Sequence, residues 1–236
     1  MNKKRMGIII GFTLIALAVF LYVFLNGTRW HNEMFSTRYP VQGIDISHYQ
    51  ENIDWEKVSQ ENIIFVFMKA TEGHDYVDPN FKFNWEETGR SGIKRGAYHF
   101  FSMRSSGAEQ GARIKEIVPY DENSMPPVID IEIPTNYNEL LVKKELQDLI
   151  LQLKKYYNKE PILYVTYDTY NTYIKNDFQN SPIWIRDILK PPLLYGGRNW
   201  TFWQFTDQGK INGIDGYVDK NVYKSTLEQF NDSFSK

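Results

Sequence analysis

The sequence of 236 residues contains no cysteine. That excludes a disulfide scaffold, thiolate zinc sites, thioether-linked haem and a cysteine nucleophile. It also lacks a charge excess: 27 Lys+Arg stand against 29 Asp+Glu, a formal net of −2. A general nucleic-acid binder would show a basic surplus, so no nucleic-acid partner is expected. The four histidines, His31, His48, His74 and His99, form no H-x-x-x-H or H-E-x-x-H pair, which leaves a zinc site with little support. There is no G-x-G-x-x-G, no G-x-x-x-x-G-K-[ST] and no G-x-S-x-G, so the usual nucleotide-binding and acyl-hydrolase signatures are missing. No internal repeat and no low-complexity tract occurs. No cofactor and no metal are expected, although a carboxylate-only Mg²⁺ or Ca²⁺ site stays open.

What is present divides into two regions. Residues 1–29 hold four basic residues (Lys3, Lys4, Arg5, Arg29) and no acidic ones, which leaves 23 basic and 29 acidic residues for 30–236, a net of −6. Residues 6–25 read MGIIIGFTLIALAVFLYVFL, with Thr13 and Tyr22 the only polar side chains. About 20 residues at ~1.5 Å rise span a ~30 Å hydrocarbon core. The preceding Lys3, Lys4 and Arg5 place residues 1–5 in the cytoplasm by the positive-inside rule. The sequence therefore predicts a single-pass signal anchor with the body outside the cell membrane. The rival is a cleaved signal peptide, whose apolar region would run to only ~7–15 residues. Ala16-Leu17-Ala18 has the A-x-A form of a cleavage site but lies inside the apolar run. Residues 26–39 read as a short polar stalk, and 40–236 as one domain large enough for a sizeable core.

In the body, short apolar runs alternate with amphipathic stretches. The runs are Val41–Ser47, Ile63–Thr71, Lys94–Phe101, Pro127–Ile133, Ile162–Tyr167, Ile183–Arg186 and Thr201–Thr206. Their β-branched and aromatic content suits strands buried on both faces. Helices are expected over Trp55–Gln60 with Asp54 as cap, Asn80–Ser91 opened by Asp78-Pro79, Ser105–Val118 and Asn138–Asn158. Later helices must be short or absent. The alternation predicts an α/β fold with a parallel sheet, a (β/α) barrel first and a doubly wound open sheet second.

Strand side chains alternate between faces, so in VIDIEI the pair Asp130 and Glu132 shares one face, their Cα atoms roughly 6.6 Å apart. The isoleucines between them take the other face, against helices. The acids then point into the barrel at the C-terminal end of a strand, where barrel active sites are built. In GIDIS, Gly43, Asp45 and Ser47 share a face in the same way. Burying acids together costs free energy unless a function or a cation compensates. Close carboxylates raise the pKa of one of them and leave a proton donor beside an anion, which is what glycosidic bond cleavage requires. By parity Tyr164, Trp184 and Gln204 point inward, where aromatics can stack on sugar rings and Gln can orient them; ordinary core packing is the alternative. His99, at a strand end, is either a ligand contact or a hydrogen-bonded core histidine. The aromatic share of 16 % is enough for both uses.

The body resembles the glycoside hydrolase family 25 lysozymes, the N-acetylmuramidases. The resemblance runs from about Val41 to Tyr223 and rests on seven ordered blocks: GIDISHYQENIDW, FVFMKATEGHDYVDPNF, SGIKRGAYHFF, PPVIDIEI, ILYVTY, PIWIR and FWQFTDQGKINGIDGYVDKNVY. It implies a modified TIM-like barrel of eight strands with reduced late helices. It implies hydrolysis of the β-1,4 bond between N-acetylmuramic acid and N-acetylglucosamine in peptidoglycan; a monomer without a cofactor is expected. Glu132 matches the family's general acid and Asp130 its partner carboxylate. Asp45 matches a first-strand active-site Asp, and Asp219 the late Asp, with Asp215 as a nearby competitor. Tyr164, Trp184, Arg186, Gln204 and His99 are the expected substrate contacts. Arg186 departs from the family, which commonly has a small residue there; it can meet a substrate carboxylate or pair with one of the acids. A wall-binding scaffold on the same barrel is the non-catalytic alternative, and the intact acid set argues against it. An esterase or deacetylase would normally need metal-ligating histidines.

Overall fold

The computed structural model describes residues 3–234, and side chains over 5–22 and 32–234; the first two residues of the expected basic tail and the last two of the chain lie outside it. Eight strands close into a barrel: β1 (Gln42–Ile46), β2 (Phe65–Glu72), β4 (Lys94–Phe100), β5 (Val128–Ile131), β6 (Ile162–Val165), β7 (Ile183–Arg186), β8 (Phe202–Gly209) and β9 (Val218–Tyr223). The order is β1-β9-β8-β7-β6-β5-β4-β2, and β2 pairs back with β1. All neighbours are parallel except β9, which runs antiparallel to both β1 and β8. The short β3 (Tyr76–Val77) forms a hairpin on β2 outside the ring. The seven expected strands are all present, and the barrel, not the open sheet, is the architecture.

Parity divides the core into two layers. Outward residues such as Ile129, Ile131, Leu163 and Ile185 pack with Val142, Leu146 and Leu149 of a helix. Inward residues Phe65, Phe67, Val128, Tyr164, Trp184 and Phe202 fill the barrel. Two glycines make room for these rings. A Cβ on Gly43 would lie 2.4 Å from the Phe65 ring, and one on Gly96 2.6 Å from the Phe67 ring.

The early crossovers carry the helices. α2 (Trp55–Val58) starts at Asp54, whose carboxylate accepts the Lys57 N–H at 3.2 Å. α3 spans Phe81–Ser91. α4 (Gly107–Ile117) has a capping box between Ser106 and Glu109, and α5 (Glu139–Tyr157) is capped by Asn138. One expectation is corrected. Asp78 does not cap α3; Asn80 precedes the helix, so Pro79 is not its first residue. Asp78 instead accepts the Asn80 N–H and, with its other oxygen, the His48 N–H and ring, each at 3.0 Å. It ties the end of β1 to the start of α3. After β6 comes only α6 (Tyr167–Thr169), continued by one π turn to Ile174, and no α-helix separates β7 from β8. α7 (Leu227–Phe234) lays Phe230 and Phe234 against Phe202 and Tyr223 and closes the N-terminal end.

α1 runs without a break over Lys3–Ser36. Its window Arg5–Tyr22 has mean hydropathy 2.1 and none of it is buried against the protein. The helix continues through most of the segment expected as a stalk, and its end is docked. Asn32 is buried, donating from Nδ2 to the carbonyls of Asp187 at 3.0 Å and Phe205 at 3.1 Å. Tyr39 meets Trp200 and Trp203 edge-on, at 5.4 and 6.2 Å between ring centroids. The reason lies in the barrel. With no helix between β7 and β8, the outward face of β8 would stand in water, and the end of α1 covers it.

Candidate active site

Asp45 lies near the end of β1, directly opposite Asp219 at the start of the antiparallel β9. Asp130 lies on β5 between Phe100 of β4 and Tyr164 of β6. Glu132 follows as the strand ends. All four face one cavity of about 230 Å³ at the C-terminal mouth, together with Ser47, Tyr49, Gln50, Tyr98, Phe100, Tyr164 and Trp184. Asp215 is exposed on the loop before β9 and does not line the cavity. At Glu132 the cavity meets a more open groove of about 540 Å³, lined by residues 132–136 and by Thr166, Asp168 and Thr169. A larger hollow of about 620 Å³ lies at the other end of the barrel. Two of its charges are engaged: Lys159 donates to backbone carbonyls, and Glu160 pairs with Lys154. Among the described residues no group of three His, Asp or Glu side chains has the arrangement to hold a metal ion.

Burial and mutual repulsion raise the site's acids. Asp45 is pushed well above the usual carboxylate range by burial, then by the charge of Asp219. Asp130 is raised by burial, then by Glu132. Its Oδ1 is buried without a hydrogen-bond partner, an acceptor left available in the cavity. Burial between the cavity walls also raises Glu132, although its side chain reaches solvent at the mouth; Arg186 acts in the opposite direction. Asp219 is lifted to about 6 by burial, against hydrogen bonds from Asp45 and Gln204. Asp45 and Asp219 thus form one raised, mutually interacting pair, while Glu132 is the accessible raised carboxyl beside Asp130.

A relay fixes the floor. Trp184 Nε1 donates to Asn221 Oδ1 at 2.8 Å, and Asn221 Nδ2 donates to Asp45 Oδ1 at 2.7 Å. Tyr164 donates to Gln204 Oε1. The hydroxyls of Tyr98 and Tyr164 are pushed far up by burial among these carboxylates and stay protonated. Lys69, from β2, pairs with Glu72 at 2.8 Å and stands over the Phe100 ring; its charge offsets part of the rise at Asp130.

The expected substrate contacts separate. Tyr164 and Trp184 line the cavity, but as its floor: Trp184 is 2 % exposed and stacks on Phe67 at 4.7 Å. Gln204 is buried behind Tyr164. Arg186 pairs with Asp207 at 3.1 Å, an acid outside the expected four, and acts on Glu132 and Asp219 through its field. His99 is corrected. It faces outward, bonded through Nδ1 to Thr71 at 2.8 Å and through Nε2 to Gln110 at 2.9 Å. Burial lowers its pKa to about 4, so it is a neutral core histidine. Its neighbour Tyr98 takes the inward position. Tyr98 and Asn221 were missed, though alternation within GAYHF and within VDKNVY places both.

The raised acids make a stability prediction. A carboxyl whose folded pKa exceeds its unfolded value binds extra protons in the native state, so stability is full below the unfolded value and falls as pH rises through the folded one. For Asp219 that window runs from 3.8 to about 6. Asp219→Asn should therefore raise Tm at pH 7 by about 2–4 °C per kcal/mol recovered, and the gain should vanish near pH 4. Calorimetry at the two pH values measures it; a loss of stability at pH 7 contradicts the assignment.

A barrel with acids converging at its C-terminal mouth defines a class of hydrolytic site, and comparison gives the family. The model of glycosyl hydrolases family 25 matches residues 44–214. A family 25 glycosyl hydrolase from Bacillus anthracis superposes with a TM-score of 0.80 at 40 % identity, covering 84 % of this chain and 94 % of that one. The bacterial lysozyme from Streptomyces coelicolor superposes at 0.74 with 29 % identity, covering 83 % and 97 %. Lysozyme M1 of Streptomyces globisporus is 30 % identical over 79 % of this chain and 68 % of its own length. The chain belongs to glycosyl hydrolase family 25, and it is a glycoside hydrolase.

Proposed function

We propose that this protein is a muramidase that hydrolyses the β-1,4 bond between N-acetylmuramic acid and N-acetylglucosamine in peptidoglycan, acting outside the cell while α1 anchors it. The observation that carries the reading is the pairing of an accessible, raised Glu132 with a buried Asp130 where the cavity opens into the groove. Glu132 protonates the oxygen leaving with glucosamine as the glycosidic bond breaks. Asp130 turns its unpartnered oxygen toward the anomeric side and orients the substrate's 2-acetamido group, whose carbonyl oxygen attacks the anomeric carbon. Water then opens that intermediate, with Glu132 as base, and the configuration is retained. Asp45 and Asp219, both raised, lower the negative charge that wall of the cavity carries. Tyr49, 79 % exposed at the rim, offers a face for a sugar ring.

NMR of the freshly released product tests the route. A β-anomer at the new reducing end is expected; an α-anomer rules out substrate assistance with retention, and no product rules out the muramidase. The lysozymes among the relatives support the substrate, and the apolar length of α1 supports the anchor. Cleavage of the segment would instead place soluble enzyme in the medium.

A further inference from the structure

The docked end of α1 fixes a direction. Asn32 bonds to the carbonyl of Asp187, one residue beyond the end of β7 and hence level with the mouth. Seven residues later Tyr39 packs on Trp200 and Trp203, at the start of β8 and hence near the closed end. Gln42, the first residue of β1, then donates to the Tyr39 carbonyl at 2.8 Å. The helix therefore descends the outside of the barrel from mouth to base. Because α1 is continuous from Lys3 to Ser36, its apolar part projects beyond the mouth. From Asn32 back to Leu25, the end of the apolar run, is only ~10 Å of helix.

The rim beside it fits a lipid surface. Leu189 and Leu193 are 64 % and 79 % exposed on the loop that follows β7. Between them Lys190 reaches Asp187 at 3.1 Å and the Tyr167 hydroxyl at 3.2 Å, which keeps this loop at the mouth. Leucines flanking a cation suit the headgroup boundary. The opposite end presents α7, whose exposed Glu228 and Asp232 are acidic.

We propose that α1 holds the barrel with its mouth toward the bilayer, so that its substrate is glycan held at the membrane surface, in strands still tethered to lipid. The proposal rests on the muramidase reading and on α1 remaining attached. The reaction is the same hydrolysis: hydroxyl from water ends on the muramic anomeric carbon, and its proton balances the oxygen released with glucosamine. A glycosyl transfer that polymerises lipid-linked units at the membrane must supply such a substrate, and cleavage here separates the strand from its lipid.

The test uses the full chain in vesicles. With no native cysteine, Leu189→Cys and Asp232→Cys each carry one fluorophore cleanly. Lipid-borne quenchers should quench the label at 189 strongly and leave the label at 232 bright; equal or reversed quenching overturns the orientation. Rates on a synthetic lipid-tethered glycan in the same vesicles and on isolated insoluble peptidoglycan complete it. The tethered glycan should be cleaved at least tenfold faster, and a flexible Gly/Ser insertion after Gly27 should abolish that preference. Equal rates before insertion overturn the substrate assignment. Detergent-solubilised full chain separates the two claims: inactivity there on both substrates overturns the muramidase reading, whereas the label pattern still decides the orientation.

Discussion

Glu132→Gln should lower the turnover of peptidoglycan by about 10²–10⁴-fold, the usual range for losing a positioned proton donor. The amide keeps the shape and a hydrogen-bonding head, so the barrel should fold with an unchanged circular dichroism spectrum. What it lacks is a proton to give. The wild-type alkaline limb supplies the second half of this result. Burial raises Glu132, so kcat should decline as pH rises through that raised value, because the donor is then ionised. An artificial muramyl substrate with a nitrophenol leaving group needs no proton donor, and on it Glu132→Gln should recover most of its rate once azide replaces the water that Glu132 would activate as base. Full activity of the variant on peptidoglycan, or equal losses on both substrates, contradicts the assignment.

Trp184→Ala should destabilise the barrel by about 3–5 kcal/mol, the range for removing a buried large aromatic. The side chain is almost fully enclosed, stacked on Phe67 and edge-on to Tyr164 at 4.6 Å. Its loss opens a cavity between the Phe67 and Tyr164 rings that it packs against. It also removes the donor that holds Asn221 against Asp45. Trp184→Phe separates the two roles. The ring keeps most of the packing but has no N–H, so it should cost far less stability and still shift the acidic side of the pH–rate profile. Urea unfolding and a pH series on both variants measure this. A Trp184→Ala protein as stable as wild type contradicts the packing described.

How much of this was legible in the sequence depended on how locally each feature is encoded. The seven apolar strands are continuous runs because both faces are buried, and a run shows without any partner. β9 was harder to read from its own composition. It alternates Asp219 and Asn221 on the cavity face with Lys220 between them on the other, so two of its six residues are polar for the sake of the site and no apolar run forms. Asp130, Glu132 and Asp45 were visible because an acid flanked by isoleucines at alternating positions breaks the pattern of a buried strand. The choice between Asp215 and Asp219 was a matter of strand pairing, and the register of Asp219 against Asp45 decides it. His99 misled because a polar residue at a strand end suggests a site, while its partner Gln110 comes from α4 and leaves no local trace. The docked end of α1 was invisible for the same reason: a polar, mixed segment reads as a stalk until the bare face of β8 is known.

Reducing-end analysis of a peptidoglycan digest tests the central claim most directly. Purified peptidoglycan is treated with the full chain in detergent, the new ends are reduced with borohydride, and the sugars are identified after hydrolysis. Muramitol rising with time, and absent with Glu132→Gln, is the expected result. Glucosaminitol instead of muramitol, or no new ends at all, contradicts it.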